Sequence, residues 1–205
     1  NTMAVYTKIN KKILVSFLKD YPIENVENFL GIKEGVENSN YLIKTKSKKY
    51  ILTIYEKRVS KHDLPFFMSL MKNLNKSNFK CPEPILNNKK KYIGKIKNKP
   101  AAIVSFLDGQ SKNQLSPENC FEIGRQVAKF HKITKKLSIK RKNSLNLKSW
   151  SKIFKKVENR CAIIEQNLDL KIKKSLTEIK RNWPKKLPSG IIHADLFPDN
   201  IFFKN

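Results

Sequence analysis

The stretch His193-Ala194-Asp195-Leu196-Phe197-Pro198-Asp199-Asn200 decides the reading of this chain. It sets a histidine, an aspartate and an asparagine in the spacing His-x-Asp-x4-Asn, among residues that favour turns. Phosphoryl transfer asks little covalent chemistry of a protein. It needs an acceptor hydroxyl aimed at the γ-phosphate of ATP and a metal ion, Mg²⁺, that neutralises charge. Asp195 can aim the hydroxyl by accepting its hydrogen bond and then its proton. Asn200 can offer Mg²⁺ a hard amide oxygen. His193 then braces the loop. A catalytic loop has to be pinned at both ends, so short strands are expected at Ile191-Ile192 and at Ile201-Phe202-Phe203. Without such context Asp195, Pro198, Asp199 and Asn200 read as a plain surface turn.

The same spacing occurs in the catalytic loop of protein kinases, and the sequence upstream suits a two-lobed fold of that kind. Alternating apolar residues predict strands over 28–33, 36–45 and 49–56, with Tyr50, Leu52 and Ile54 on one face. Lys46-Ser47-Lys48 suits a hairpin between the last two. A helix is expected over 63–74, with Asp63 as its cap, Pro65 in its first turn, and Phe67, Leu70, Met71 and Leu74 as its apolar face. Further strands are expected near 92–93 and 101–106, the second closed by the turn signal Asp108-Gly109. Beyond it, helices are predicted over 117–133, 150–167 and 170–183. The first has Ser116 as cap and Phe121, Ile123, Val127, Ala128 and His131 facing inward. The fold class is therefore α+β and protein-kinase-like. An antiparallel five-stranded ATP-binding lobe with one helix spans 1–107, and a mainly helical, incomplete lobe carrying the loop spans 108–205. A cleft between such lobes is a natural small-molecule site.

Two segments of the first lobe suit a nucleotide. Gly31 to Tyr41 carries two glycines between strands, and glycine lets backbone N–H groups approach phosphate. Gly35, Asn38, Ser39 and Asn40 are its candidate binding residues. The run has neither the lysine of a Walker loop nor the helix of a dinucleotide fingerprint behind it. Ala101 to Gly109 is an apolar strand that enters the linker, where Ser105, Phe106 and Leu107 offer backbone groups to an adenine edge.

These residues resemble a known family. Met3 to Thr7, Glu34 to Tyr41, Tyr50 to Val59, Asp63 to Phe67 and His193 to Asn200 together resemble the bacterial homoserine kinases of the aminoglycoside-phosphotransferase-like group. The resemblance runs over nearly the whole chain from Met3. It implies transfer of the ATP γ-phosphate to the hydroxyl of L-homoserine in threonine biosynthesis, with Asp195 as base and Asn200 as Mg²⁺ ligand. Kinase-like folds usually place a lysine on the third strand, paired to a glutamate on the next helix. Here Thr53 stands at the lysine position and the helix over 63–74 has no glutamate; Lys57 shares the strand parity of Thr53 and is a candidate substitute. A second metal-binding aspartate is expected past Asn205, so the chain is expected to be C-terminally truncated and inactive alone. Another acceptor, such as an aminoglycoside, choline or a sugar, and a non-catalytic kinase-like chain remain the alternatives.

Composition narrows the partners. The formal net charge is +26, yet only five of 43 basic residues are arginine, and the lysines are spread along the chain. Nucleic-acid readers concentrate charge on one face and use arginine at base edges, so no nucleic-acid partner is expected. No apolar run is long enough for a membrane helix. Cys81, Cys120 and Cys161 are too far apart for a zinc site or a disulfide framework, which predicts a reduced, cytoplasmic setting. The sequence leaves the oligomeric state open.

Overall fold

The period-two alternation expected around the Lys46-Ser47-Lys48 turn is present as a hairpin in a computed structural model that describes residues 6–33, 37–56 and 60–204. Strands β1 (Val26–Ile32), β2 (Ser39–Thr45) and β3 (Lys49–Ile54) are joined by β4 (Ile93–Ile96) and β5 (Lys99–Ser105). All pairs are antiparallel, in the order β1-β2-β3-β5-β4. Successive residues of a strand face opposite sides, and the two faces differ in kind. Tyr41, Ile43, Tyr50, Leu52, Ile54, Ala101 and Ile103 are buried on one. On the other, Leu30, Leu42, Ile51 and Val104 stand in register across four strands, and Ile32, Asn40, Thr53 and Ala102 form the adjacent row.

The buried face packs on α1 (Lys11–Leu18), whose Leu14 and Leu18 join Tyr21 and Ile96 in the core. This helix was not expected, so the segment before the linker holds two helices. Asn10 caps α1 by accepting a hydrogen bond from the Ile13 N–H at 3.0 Å. Its apolar residues run almost without interruption through Lys-Lys-Ile-Leu-Val-Ser-Phe-Leu, which hides a helical period until Leu14 and Leu18 meet the sheet.

The expected helix over 63–74 is α2 (Leu64–Lys76). Asp63 stands at its N-cap position, but its backbone is helical (φ −85°, ψ −21°) and its side chain makes no cap hydrogen bond. The buried face runs through Leu64, Met68 and Leu74, rotated from the expected Phe67, Leu70 and Met71, which are half-buried. Helix α3 (Pro117–Thr134) starts at Ser116 in a capping box with Asn119. Phe121 is 76% exposed, and Ala128 and His131 are also exposed. The inward residues are Ile123, Val127, Phe130 and Ile133, because Phe130 packs edge-on against Phe79 at 5.9 Å, just beyond α2.

Residues up to Ile139 and from Gly190 onward form one compact unit, and Lys140 to Ser189 form another. The expected lobe boundary at 107/108 lies inside the first. The second holds α4 (Leu147–Phe154), a 3₁₀ segment (Glu158–Ile163) and α5 (Leu168–Asn182). The single helix expected over 150–167 is thus broken. After Phe154 the chain tightens, with the Val157 N–H on the Phe154 oxygen at 2.9 Å, and this buries Cys161 and brings Glu158 to Lys173 of α5 at 2.5 Å. Trp150 and Trp183 pack edge to face at 5.6 Å in the same unit. Among the described residues no helix is long and apolar enough to cross a membrane.

Leu52 is fully buried at the centre of the sheet. Leu52→Ala is expected to cost about 2–5 kcal/mol in chemical denaturation, whereas Leu30→Ala, at a position 51% exposed, is expected to stay within about 1 kcal/mol.

Candidate active site

The loop at the end of the chain forms without the two strands expected beside it. Ile191 and Ile192 are not in a strand, Ile192 is 61% exposed, and His193 is exposed as well. An isolated apolar pair with no facing strand gains nothing from extension. The anchorage comes from the linker. Gln110 and Phe203 exchange both backbone hydrogen bonds at 2.9 Å, and Lys112 lies over the Phe203 ring at 4.7 Å. Gly109 makes this approach possible: its φ is 156°, and a Cβ there would stand 3.0 Å from the Phe203 carbonyl oxygen.

Within the loop, Pro198–Asn200 is a 3₁₀ turn that folds Asn200 back on Asp195. The Asn200 Nδ2 donates to the Asp195 carbonyl oxygen at 2.8 Å and to Asp195 Oδ2 at 3.1 Å. The spacing of the sequence therefore becomes contact. With its NH₂ end turned to Asp195, Asn200 keeps Oδ1 as an oxygen donor, a hard ligand that suits Mg²⁺. Among the described residues no group of three or more His, Cys, Asp or Glu gathers to hold a metal; the fit to Mg²⁺ rests on the Asn200 oxygen. Ala194 takes the left-handed conformation (φ 65°) between His193 and Asp195, which costs a residue with a Cβ about 1–2 kcal/mol.

Gly35 and Lys57 lie outside the described residues. Their neighbours form a network on the buried side of the sheet. Asn38 Oδ1 accepts from the Glu56 N–H at 3.2 Å. Ser39 is fully buried; its Oγ accepts from the Thr7 N–H at 2.8 Å and donates to Glu56 Oε1 at 2.8 Å. Its hydroxyl is spent inward, so Ser39 ties the strand down instead of offering a phosphate donor as expected. Thr7 Oγ1 also donates to Glu56 Oε1 at 2.6 Å, and Lys99 pairs with Glu56 Oε2. Burial by itself would raise the Glu56 pKa. Hydrogen bonds from Lys99, Thr7 and Ser39 outweigh it and hold the carboxyl below its ordinary range.

On the opposite side of the sheet, Asn40 and Thr53 face each other across β2 and β3. The Thr53 hydroxyl donates to Asn40 Oδ1 at 2.9 Å, which leaves the Asn40 NH₂ as a donor pair. At the far end of the hairpin, two of the three candidate adenine contacts are already used. The Ser105 N–H is on the Glu83 oxygen at 2.8 Å, and the Phe106 N–H is on the Lys49 oxygen at 3.1 Å. The Leu107 N–H has no partner among the described residues, and Leu107 is 42% exposed. A hollow of about 570 Å³ beside them is lined by Lys44, Lys49, Glu83 and Asp108 among others and excludes Asn40. The structure thus joins Asp195 to Asn200, and Asn38 and Ser39 to Glu56. The sequence reading missed Glu56, Thr7, Lys99 and the Asn40–Thr53 pair. The last was available by counting the hairpin register outward from Lys46-Ser47-Lys48.

An antiparallel five-stranded sheet, a strand that leads into a linker and a following His-x-Asp-x4-Asn loop define the protein-kinase-like fold. A spectinomycin phosphotransferase solved with ADP and spectinomycin shares it, with a TM-score of 0.69 at 18% identity over 97% of this chain and 67% of that one. The model of the phosphotransferase enzyme family APH matches residues 28–205, and the chain belongs to that family. Curated relatives include homoserine kinases of Parvibaculum lavamentivorans, 43% identical, and Brucella anthropi, 42% identical, each over 98% of this chain. The chain spans 63% and 62% of their respective lengths.

The left-handed turn at Ala194 gives a direct test. Ala194→Gly is expected to keep the stability within about 1 kcal/mol, while the β-branched Ala194→Val is expected to lose about 1–2 kcal/mol, read by thermal and chemical denaturation.

Proposed function

We propose that this protein is a cytoplasmic homoserine kinase, which transfers the γ-phosphate of ATP to the hydroxyl of L-homoserine in threonine biosynthesis. The observation that carries the reading is the 43% identity to a homoserine kinase over 98% of the chain. The contact between Asp195 and Asn200 supports it. The lysine-rich second unit favours this zwitterionic acceptor over an aminoglycoside, because a polycation calls for an acidic site. The three free cysteines fit a reducing compartment.

In this reading residues 1–107 bind the nucleotide and 108–205 carry the loop. The unpaired Leu107 N–H takes an acceptor on the adenine edge, beside Ser105 and Phe106. The apolar row of Leu30, Leu42, Ile51 and Val104 covers the ring. The Asn40 NH₂ donates to a phosphate oxygen, and Gly35 and Asn38 belong to the same phosphate-covering segment. Asp195 aims the homoserine hydroxyl and takes its proton as the oxygen attacks. His193 braces the loop, and Asn200 Oδ1 is a ligand for Mg²⁺. When bound, Mg²⁺ neutralises charge that develops on the phosphate oxygens. Lys57 remains the candidate cation toward the nucleotide.

The test is a coupled assay of ADP release by the full-length protein with L-homoserine, choline and an aminoglycoside offered in turn. L-Homoserine is expected to be the preferred acceptor, and preference for either rival sinks the reading. Asp195→Asn is expected to lower kcat by about 10²–10⁴-fold, with KM for ATP little changed.

The donor pair on β2 and β3 is tested separately. Asn40→Ala is expected to raise KM for ATP by roughly 10-fold or more, the value of a hydrogen bond to a charged group. Thr53→Val removes only the bond that orients the amide, and a rise of about 2–10-fold is expected. Equal KM values in all three proteins would remove Asn40 from the phosphate site.

A further inference from the structure

We infer that Glu56 is a positioning residue: its carboxylate works through Ser39 as a clasp that holds Asn40 in place for the nucleotide. Glu56 lies two residues past the end of β3 on the buried side, its side chain 10% exposed. Oε1 accepts from Thr7 Oγ1 at 2.6 Å and Ser39 Oγ at 2.8 Å, and Oε2 is paired with Lys99. The Glu56 backbone N–H donates to Asn38 Oδ1 at 3.2 Å. Lys99 Nζ closes the ring on Thr7 Oγ1 at 2.7 Å.

One residue thus ties together four stretches far apart in sequence: the segment before α1, the start of β2, the end of β3 and the start of β5. Tyr41 adds a parallel strap, donating its hydroxyl to the Thr7 carbonyl oxygen at 2.8 Å and accepting from the Ile9 N–H at 3.1 Å. The geometry of a strand gives this a consequence at the other face. Ser39 points into the clasp, Asn40 points away from it, and Tyr41 points back. Asn40 is therefore held between two anchored neighbours, while Thr53 fixes its amide from across the strand pair. A carboxylate with three donors around it, whose own backbone N–H is also held by Asn38, is costly to assemble and rigid once assembled. It stands behind Asn40, whose NH₂ has no partner among the described residues.

The inference rests on the nucleotide reading above for its kinetic consequence, and on geometry alone for the clasp. Ser39→Ala removes one oxygen and leaves the other bonds to Glu56 in place. In the full-length protein it is expected to raise KM for Mg-ATP by roughly 10-fold, with kcat and KM for L-homoserine within about twofold. Glu56→Ala is expected to show the same split. Glu56→Gln, which keeps an oxygen acceptor for both hydroxyls, should recover most of the loss. A role confined to stability would lower Tm in these variants and leave the KM split absent; that result, in an active enzyme, overturns the inference. Should Glu56→Ala fail to fold, Ser39→Ala carries the test. Amide hydrogen exchange at Ser39, Asn40 and Tyr41 gives a readout that needs no activity. Faster exchange in Ser39→Ala supports the clasp, and unchanged exchange overturns it. If the wild-type protein transfers no phosphate from ATP, the functional reading falls and the exchange result alone decides the clasp.

Discussion

The register between β2 and β3 governs the rest of this molecule. Asn40 opposite Thr53 and Leu42 opposite Ile51 set one face; Tyr41 opposite Leu52 and Ile43 opposite Tyr50 set the other. A slip of one residue would put every one of these side chains on the wrong side. Tyr41, Ile43, Leu52 and Ile54 would leave the core that holds α1, and the Asn40–Thr53 pair would enter it. The short turn at Lys46-Ser47-Lys48 secures the register, helped by Thr45, whose Oγ1 accepts from the Lys48 N–H at 3.0 Å and donates to Glu24 at 2.8 Å. The core face and the opposite face are thus consequences of one choice.

That choice was legible in the sequence because it is local. Period-two alternation and a turn of polar residues need no knowledge of the rest of the chain, and they located the hairpin and the buried set Tyr50, Leu52 and Ile54. Elements whose shape depends on distant partners were harder to read. The run at Ile13 to Leu18 is nearly all apolar and becomes a helix with a defined inner face only against the sheet. The inner face of α3 follows Phe79, which lies far upstream, so Phe121 and His131 were misplaced inward. The helix expected over 150–167 breaks to bring Glu158 to Lys173 of α5, a partner the local pattern does not announce.

The site divides along the same line. Asp195 and Asn200 are five residues apart in one loop, and their contact follows from the spacing. The anchorage of that loop by Gln110 is a contact across some ninety positions, and two isoleucines beside the loop suggested a strand where none forms. Glu56 ends the strand expected over 49–56, and no motif marks it. Its role appears only when Thr7, Ser39 and Lys99 converge on it. Residues that act through a network are invisible to a motif search, because each of them is ordinary when taken alone.

The same reasoning explains why Thr53 and the glutamate-free α2 occur together. A lysine on β3 facing a helix with no carboxylate would be a partly buried cation without a partner, and such a charge is strongly destabilising. A glutamate on α2 facing Thr53 would be no better. Removing one member of an ion pair is costly, whereas replacing both can be nearly neutral. With both members absent, neither charge is left without its partner. The contact observed at Thr53 is neutral: its hydroxyl donates to the Asn40 amide oxygen. Neutral donors fix the direction of a phosphate oxygen but do little to attract it from a distance. A net charge of +26, spread along the chain, adds a long-range attraction for anions. In the proposed reading, long-range field and short-range geometry are shared among the surface as a whole, Lys57 and the Asn40–Thr53 pair.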